Sequence, residues 1–197
     1  MSEGLQQTFT AIQRQATSEV LHLLDGFYEN LEHGLFELAF RIDQSDIQAR
    51  CAALMKDLRL RKGMALRSFT TLMEADVALW TSVEEAEEFA ALQTRARSLA
   101  RKYENHFATV LGSMAGWIAL ATNRADTETE VPIGPNRLAY HFLRSISSAH
   151  EDRELSSMLC DLFGRLVLDR LGPLYGRSNA RLEKSFSLLA LPDAETA

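Results

Sequence analysis

Leu5, Phe9, Ile12, Ala16, Val20, Leu24, Phe27, Leu31, Leu35, Leu38 and Ile42 fall three or four positions apart, with mostly polar residues between them. That spacing winds one apolar stripe along an α-helix of 3.6 residues per turn. The mean step lies slightly above 3.6, which predicts a nearly straight rod rather than a strong left-handed supercoil. Gly26 and Gly34 each weaken the rod locally, by ~1 kcal/mol relative to alanine.

A turn is predicted at 43–46. Ile47, Cys51, Leu54, Leu58, Ala65, Phe69, Leu72 and Val77 then mark a second helix ending near 80–82. A third rod carries Phe89, Leu92, Ala96, Leu99, Tyr103, Phe107, Val110, Met114, Trp117 and Ala121. Ser45 with Gln48, and Ser82 with Glu85, have capping-box spacing and place helix starts at both turns. Glu84, Glu85, Glu87 and Glu88 crowd the opening of the third rod, where the helix dipole favours negative charge.

The polar stretch 123–134, with Asp126, Glu128 and Glu130, breaks the pattern and predicts a linker. Pro135 suits the first turn of a fourth helix lined by Leu138, Phe142 and Ile146. A fifth spans 151–171 through Leu155, Leu159, Leu162, Leu166 and Val167. Gly172 and Pro173 end it and open a sixth through Leu174, Leu182 and Phe186. The first proline is Pro132, and only six glycines precede it, so nothing breaks the long rods. No run alternates with the two-residue period of a strand. The expectation is an all-α fold: an elongated antiparallel bundle of three long helices over 1–122, a linker at 123–134, and a small C-terminal part of three shorter helices over 135–191 packed on the bundle.

Apolar residues make up 46% of the 197, enough for a real core, and the net charge of −6 gives no general attraction to nucleic acid. No apolar run approaches the ~20 residues that span a membrane, and 1–15 has no secretory pattern, so a cytoplasmic protein is expected. Cys51 and Cys160 sit in helical patterns and read as reduced core thiols, with a disulfide or redox switch as the alternative.

The residues show no catalytic set, no metal site and no cofactor motif. His22, His33, His106, His141 and His150 never pair at i,i+3 or i,i+4, and no Glu-x-x-His ligand motif faces inward. His106 abuts the third stripe and reads as a packed, hydrogen-bonded side chain. Nucleophile elbows and phosphate loops are also missing. Gly112 and Gly116 form one G-x-x-x-G, which in a soluble helix reads as a site of close helix packing.

One electrostatic constellation can be built. Lys56, Arg59, Arg61, Lys62 and Arg67 crowd the second helix, and Arg95, Arg97, Arg101 and Lys102 the third. A hairpin turning near 81–82 sets the two clusters at the same height, beside Asp25, Glu29 and Glu32 of the first helix. Ion pairing on a wet surface is one reading. Convergence on a phosphorylated small molecule is the other, with Arg59, Arg61, Lys62, Arg67, Arg97, Arg101 and Lys102 as anion-binding candidates. Arg165, Arg170, Arg177 and Arg181 form a second, weaker basic face.

The stretches NLEHGLFELAFRIDQSDIQARCAALMKDLRLRKGMALRSF at 30–69, VPIGPNRLAYHFLRS, and LFGRLVLDRLGPLYGRSNARLEKSF resemble a bacterial family of unknown function numbered 1631. The shared elements are LFELA with a following LR-x-R-K, the P-x-G-P helix opening, and L-G-P-L-Y-x-x-x-N. Members are typically much longer, so the chain resembles their N-terminal part or a short relative. Some carry the label thymidine phosphorylase, whose α/β architecture and glycine loops have no counterpart in this sequence. Some longer relatives look linked to cyclic dinucleotide signalling through regions this chain lacks. The resemblance implies a bacterial cytoplasmic regulatory protein and supplies no catalytic residues.

The expected function is a non-enzymatic helical interaction or oligomerisation module for a protein partner or a second copy of itself. Phe36, Phe40 and Trp80 are its interface candidates wherever they lie off the core stripe. The alternative is a sensor binding a nucleotide or cyclic dinucleotide through Arg59, Lys62, Arg97 and Arg101.

Overall fold

The computed structural model describes residues 3–41, 45–80, 90–123, 129–146 and 152–190; side chains at 38–41, 45, 189 and 190 lie outside that description. Its elements are α1 (Glu3–Arg41), α2 (Ser45–Ala75), a 3-10 turn (Asp76–Trp80), α3 (Ala90–His106), α4 (Ala108–Thr122), α5 (Pro135–Ser145), α6 (Arg153–Leu166), a second 3-10 turn (Leu168–Arg170) and α7 (Gly172–Ala190). No strand occurs among the described residues, and the all-α expectation holds.

Every stripe position of α1 from Leu5 to Leu35 is buried; Leu38 and Ile42 lie outside the described side chains. α2 packs antiparallel on this stripe. Gln13 meets the carbonyl of Met73, Asp25 meets Lys62, and Glu32 meets Arg59. Ile47, Cys51, Leu58, Ala65 and Phe69 are buried as the spacing requires. Past Phe69 the buried positions are Met73, Asp76 and Trp80, while Leu72 and Val77 are only half-buried. The stripe keeps its helical step there, but an aspartate occupies one of its places.

The third rod is not continuous. It divides at Phe107 (φ −101°, ψ 13°) into α3 and α4. Two hydrogen bonds still cross the break, from Phe107 N to Tyr103 O (2.9 Å) and from Leu111 N to Phe107 O (3.0 Å). The Phe107 ring is buried edge-on to Tyr175 at 5.2 Å. The bend sends the two halves to different neighbours: α3 packs on α5 and α6, and α4 on α7.

The place beside α1 and α2 that the stripes assign to a third long rod is filled instead by the C-terminal helices. α5 lies against α2 and α3, α6 against α1, and α7 against α1 and α4. One apolar core draws residues from all seven helices, among them Phe9, Phe69, Ala96, Met114, Leu138, Leu159 and Leu182. The stretch expected to be a linker contributes to it, since residues 131–134 are buried and the Tyr175 hydroxyl donates to Ile133 O at 3.1 Å. Residues 124–128 lie outside the description, as do the Ser82–Glu85 capping box and its glutamate run; the Ser45 side chain is likewise not described. Asn123, at φ 54°, caps α4 in the left-handed conformation that asparagine tolerates.

Two glycines set close helix approaches. A Cβ on Gly34 would run into the Leu162 side chain, and one on Gly164 would stand 2.5 Å from the Tyr103 hydroxyl and 3.1 Å from its ring. The Tyr103 ring is buried and cannot swing aside freely. Overpacking costs about 1–3 kcal/mol, while glycine-to-alanine in a helix returns about 1 kcal/mol. Gly164→Ala should therefore lower unfolding free energy by about 1 kcal/mol in urea titration. Gly26→Ala, where a Cβ meets nothing within 4 Å, should raise it.

Candidate functional site

The densest buried polar cluster is made by Asp76, Arg137 and His141. Asp76 opens the 3-10 turn after α2; Arg137 and His141 lie one turn apart on α5. All three are nearly inaccessible, at 2%, 5% and 0% exposure. The Arg137 guanidinium grips the carboxylate with two bonds, Nε to Oδ2 at 2.8 Å and Nη2 to Oδ1 at 2.6 Å. His141 Nε2 lies 2.6 Å from Oδ2. Burial pushes the Asp76 carboxyl upward, but the hydrogen bonds from His141 and Arg137 outweigh it and hold the group below its ordinary 3.8. Arg137 also lies over the Tyr140 ring (5.6 Å), and the His141 ring meets Phe69 edge-on (5.8 Å).

A second buried link stands nearby. Trp80 Nε1 donates to Gln13 Oε1 at 2.7 Å, and Gln13 Nε2 donates to Met73 O at 2.6 Å. Phe9 stacks on the Trp80 indole at 5.2 Å. Together the two clusters tie the end of α2 to α1 and α5. Their polar atoms face one another, and the work they do is to hold helices together. Among the described residues, the buried His141 Nδ1 has no hydrogen-bond partner.

Trp80 is therefore a core residue with no exposed surface, and its role as an interface candidate is corrected. Phe36 does lie off the core, 58% exposed, and the Phe40 side chain is outside the description. The basic candidates do not converge. On α2, Arg59 pairs with Glu32, Arg61 with Asp57 (2.7 Å) and Lys62 with Asp25 (2.5 Å). Arg67 is exposed. Arg97, Arg101 and Lys102 are exposed on α3, whose packing partners are α5 and α6 rather than α2. With α3 packed on α5 and α6, the two clusters are not the level neighbours that a straight hairpin implies. In the weaker basic face, Arg177 pairs with Glu19 at 2.5 Å.

His106 is exposed rather than packed in the core, with its ring edge-on to Phe107 at 4.6 Å. His33 pairs with Glu37 at 3.5 Å, and His150 lies outside the description. Among the described residues, no group of three or more His, Cys, Asp or Glu side chains is placed to hold a metal ion. Cys51 and Cys160 are free, and burial pushes both thiols up. Among the described residues, no helix is long and apolar enough to cross a membrane.

The Asp76 cluster was missed in the sequence because its partners lie 61 and 65 positions apart. One signal was present: an aspartate three positions past Met73 on the inward stripe, and an arginine and a histidine at i,i+4 beside Leu138 and Phe142 of α5. Asp76→Ala leaves Arg137 buried without its carboxylate, which should cost about 3–5 kcal/mol in denaturant unfolding. The folded carboxyl binds a proton less readily than the unfolded one. Its contribution is thus full above the ordinary 3.8 and lost as pH falls through the lower folded value. Acid titration of stability should be flatter for Asp76→Ala than for the unaltered protein.

Searches of curated proteins and of solved structures each found no significant match. One family model, described as the N-terminal domain of a protein of unknown function (DUF1631), matches residues 5–185. That span runs from the first stripe residue of α1 into the last helix, across both buried clusters, and the chain belongs to the DUF1631 N-terminal domain family.

Proposed function

We propose that this domain is a non-enzymatic helical module that docks a protein partner on the outward face of α2. One observation carries the reading: Leu60 and Met64, one turn apart, are 78% and 60% exposed between two exposed cations, Lys56 and Arg67. Ala53 and Thr71 extend the same face. Large apolar side chains this open, flanked by charge, are typical of interaction surfaces rather than of resting monomer surface. Arg59 and Arg61, already paired with Glu32 and Asp57, supply a polar rim. The chain carries −6 overall, so a local basic face selects by position rather than by bulk charge. The matching partner is an acidic amphipathic helix whose apolar residues cover Leu60 and Met64. A cytoplasmic module serving a longer regulatory polypeptide is the setting we favour, in keeping with the family's description as an N-terminal domain.

A photo-crosslinking amino acid placed at position 60 in the host cell should give a protein adduct. The same residue at position 183, exposed on α7, should not. Reversing Lys56 and Arg67 to glutamate should lower the adduct yield several-fold. No adduct at position 60 above that at 183 refutes the reading.

A further inference from the structure

A groove of about 440 Å³ runs between α1 and the end of α2, within the ~300–1,000 Å³ of small-molecule sites. Its most deeply buried wall residue is Gln13, whose amide is already engaged by Met73 O and Trp80 Nε1. Three threonines line it, and each has given its hydroxyl proton to its own helix: Thr10 to Gln6 O (2.9 Å), Thr17 to Gln13 O (2.9 Å) and Thr70 to Leu66 O (2.8 Å). Their oxygens are left as acceptors, which ask for a donor. Arg14 of α1 and Glu74 of α2 are exposed at the same groove. Among the described residues neither forms an ion pair, so two opposite charges flank the space instead of closing it. Leu21 and Val77, both half-buried, supply an apolar wall.

We propose that this groove binds a free α-amino acid with an aliphatic side chain. The ligand's chemistry follows from what each wall offers. The threonine oxygens and the Glu74 carboxylate take an ammonium group. The Arg14 guanidinium, which only donates, takes a carboxylate. The two flanking charges sum to zero, which favours a ligand carrying both signs over a simple anion or cation. A neutral polyol would leave both charges without a counter-charge, and it would set hydroxyls against Leu21 and Val77, where an aliphatic side chain fits. A ligand seated here reaches Gln13, whose Oε1 accepts from the Trp80 indole at 2.7 Å, so occupancy is felt one hydrogen bond away by a fully buried ring. None of the lining residues belongs to the docking face at Leu60 and Met64.

L-leucine, L-valine and L-methionine are the probes. In NMR spectra of the isotope-labelled full chain, amides of residues 10–21 and 70–77 should shift saturably with at least one of them. The Trp80 indole N–H, one of only two indole signals in the chain, should move with them. Isocaproate, which is leucine without its ammonium, and isopentylamine, which is leucine without its carboxylate, should each bind about tenfold or more weakly than leucine. Arg14→Gln and Glu74→Gln, both at exposed positions, should each weaken leucine binding by a similar factor while helical circular dichroism is unaltered. Glu74→Gln should also narrow the gap between leucine and isocaproate, a change that mere loosening of the groove would not produce. Absence of saturable shifts with all three amino acids at millimolar concentration overturns the proposal. So does leucine binding indifferent to both replacements, or isocaproate and isopentylamine binding as tightly as leucine.

Discussion

Arg137 is a cation buried in the first turn of α5, and the fold is arranged around the need to neutralise it. A guanidinium removed from water is tolerated only with a well-placed counter-charge and satisfied donors. Asp76 supplies the charge with a two-pronged grip, and His141 adds a third contact to the same carboxylate. Because Asp76 sits where α2 tightens into a 3-10 turn, this one cluster fixes the end of α2 against α5. The neighbouring Gln13–Trp80 link fixes the same turn against α1. An apolar contact can slide by a residue at small cost; a buried ion pair cannot, so the clusters set register as well as proximity.

Close packing completes the arrangement. Gly34 lets α1 approach α6, and Gly164 lets α6 approach the Tyr103 ring of α3. At the start of α6, Asp152 accepts from the amides of Glu154 and Leu155 and pairs with Arg50 of α2. That single carboxylate both caps a helix and ties it to a neighbour, and the bond to Arg50 holds it below the usual aspartate range despite its partly exposed position. The C-terminal helices are thus held by specific polar and steric features as well as by grease, and α5 becomes an inner element rather than an appendage.

The division between interior and surface bears on function. The buried polar side chains with the strongest geometry are engaged with one another across helices. The surface, by contrast, leaves large apolar side chains in water on α2 and on the α4–α7 side. These two faces differ in chemistry: one is rimmed by cations, the other has no charge on its central helix.

Periodicity determined the helices. The α1 stripe from Leu5 to Leu35 was legible because a long amphipathic helix repeats its signal every turn, and the same held for most of α2 and for Leu138, Phe142 and Ile146 of α5. Which helices meet was decided only in three dimensions. A break at Phe107 that two backbone hydrogen bonds still cross leaves little trace in the pattern of residues, yet beyond it the rod packs on α7 instead of on α5 and α6. Trp80 and Asp76 show the same limit, since whether an indole or a carboxylate faces inward depends on a partner far away in the chain. Local spacing carries the period of an element; the pairing of Asp76 with Arg137 and His141 is a long-range event, and only the folded chain contains it.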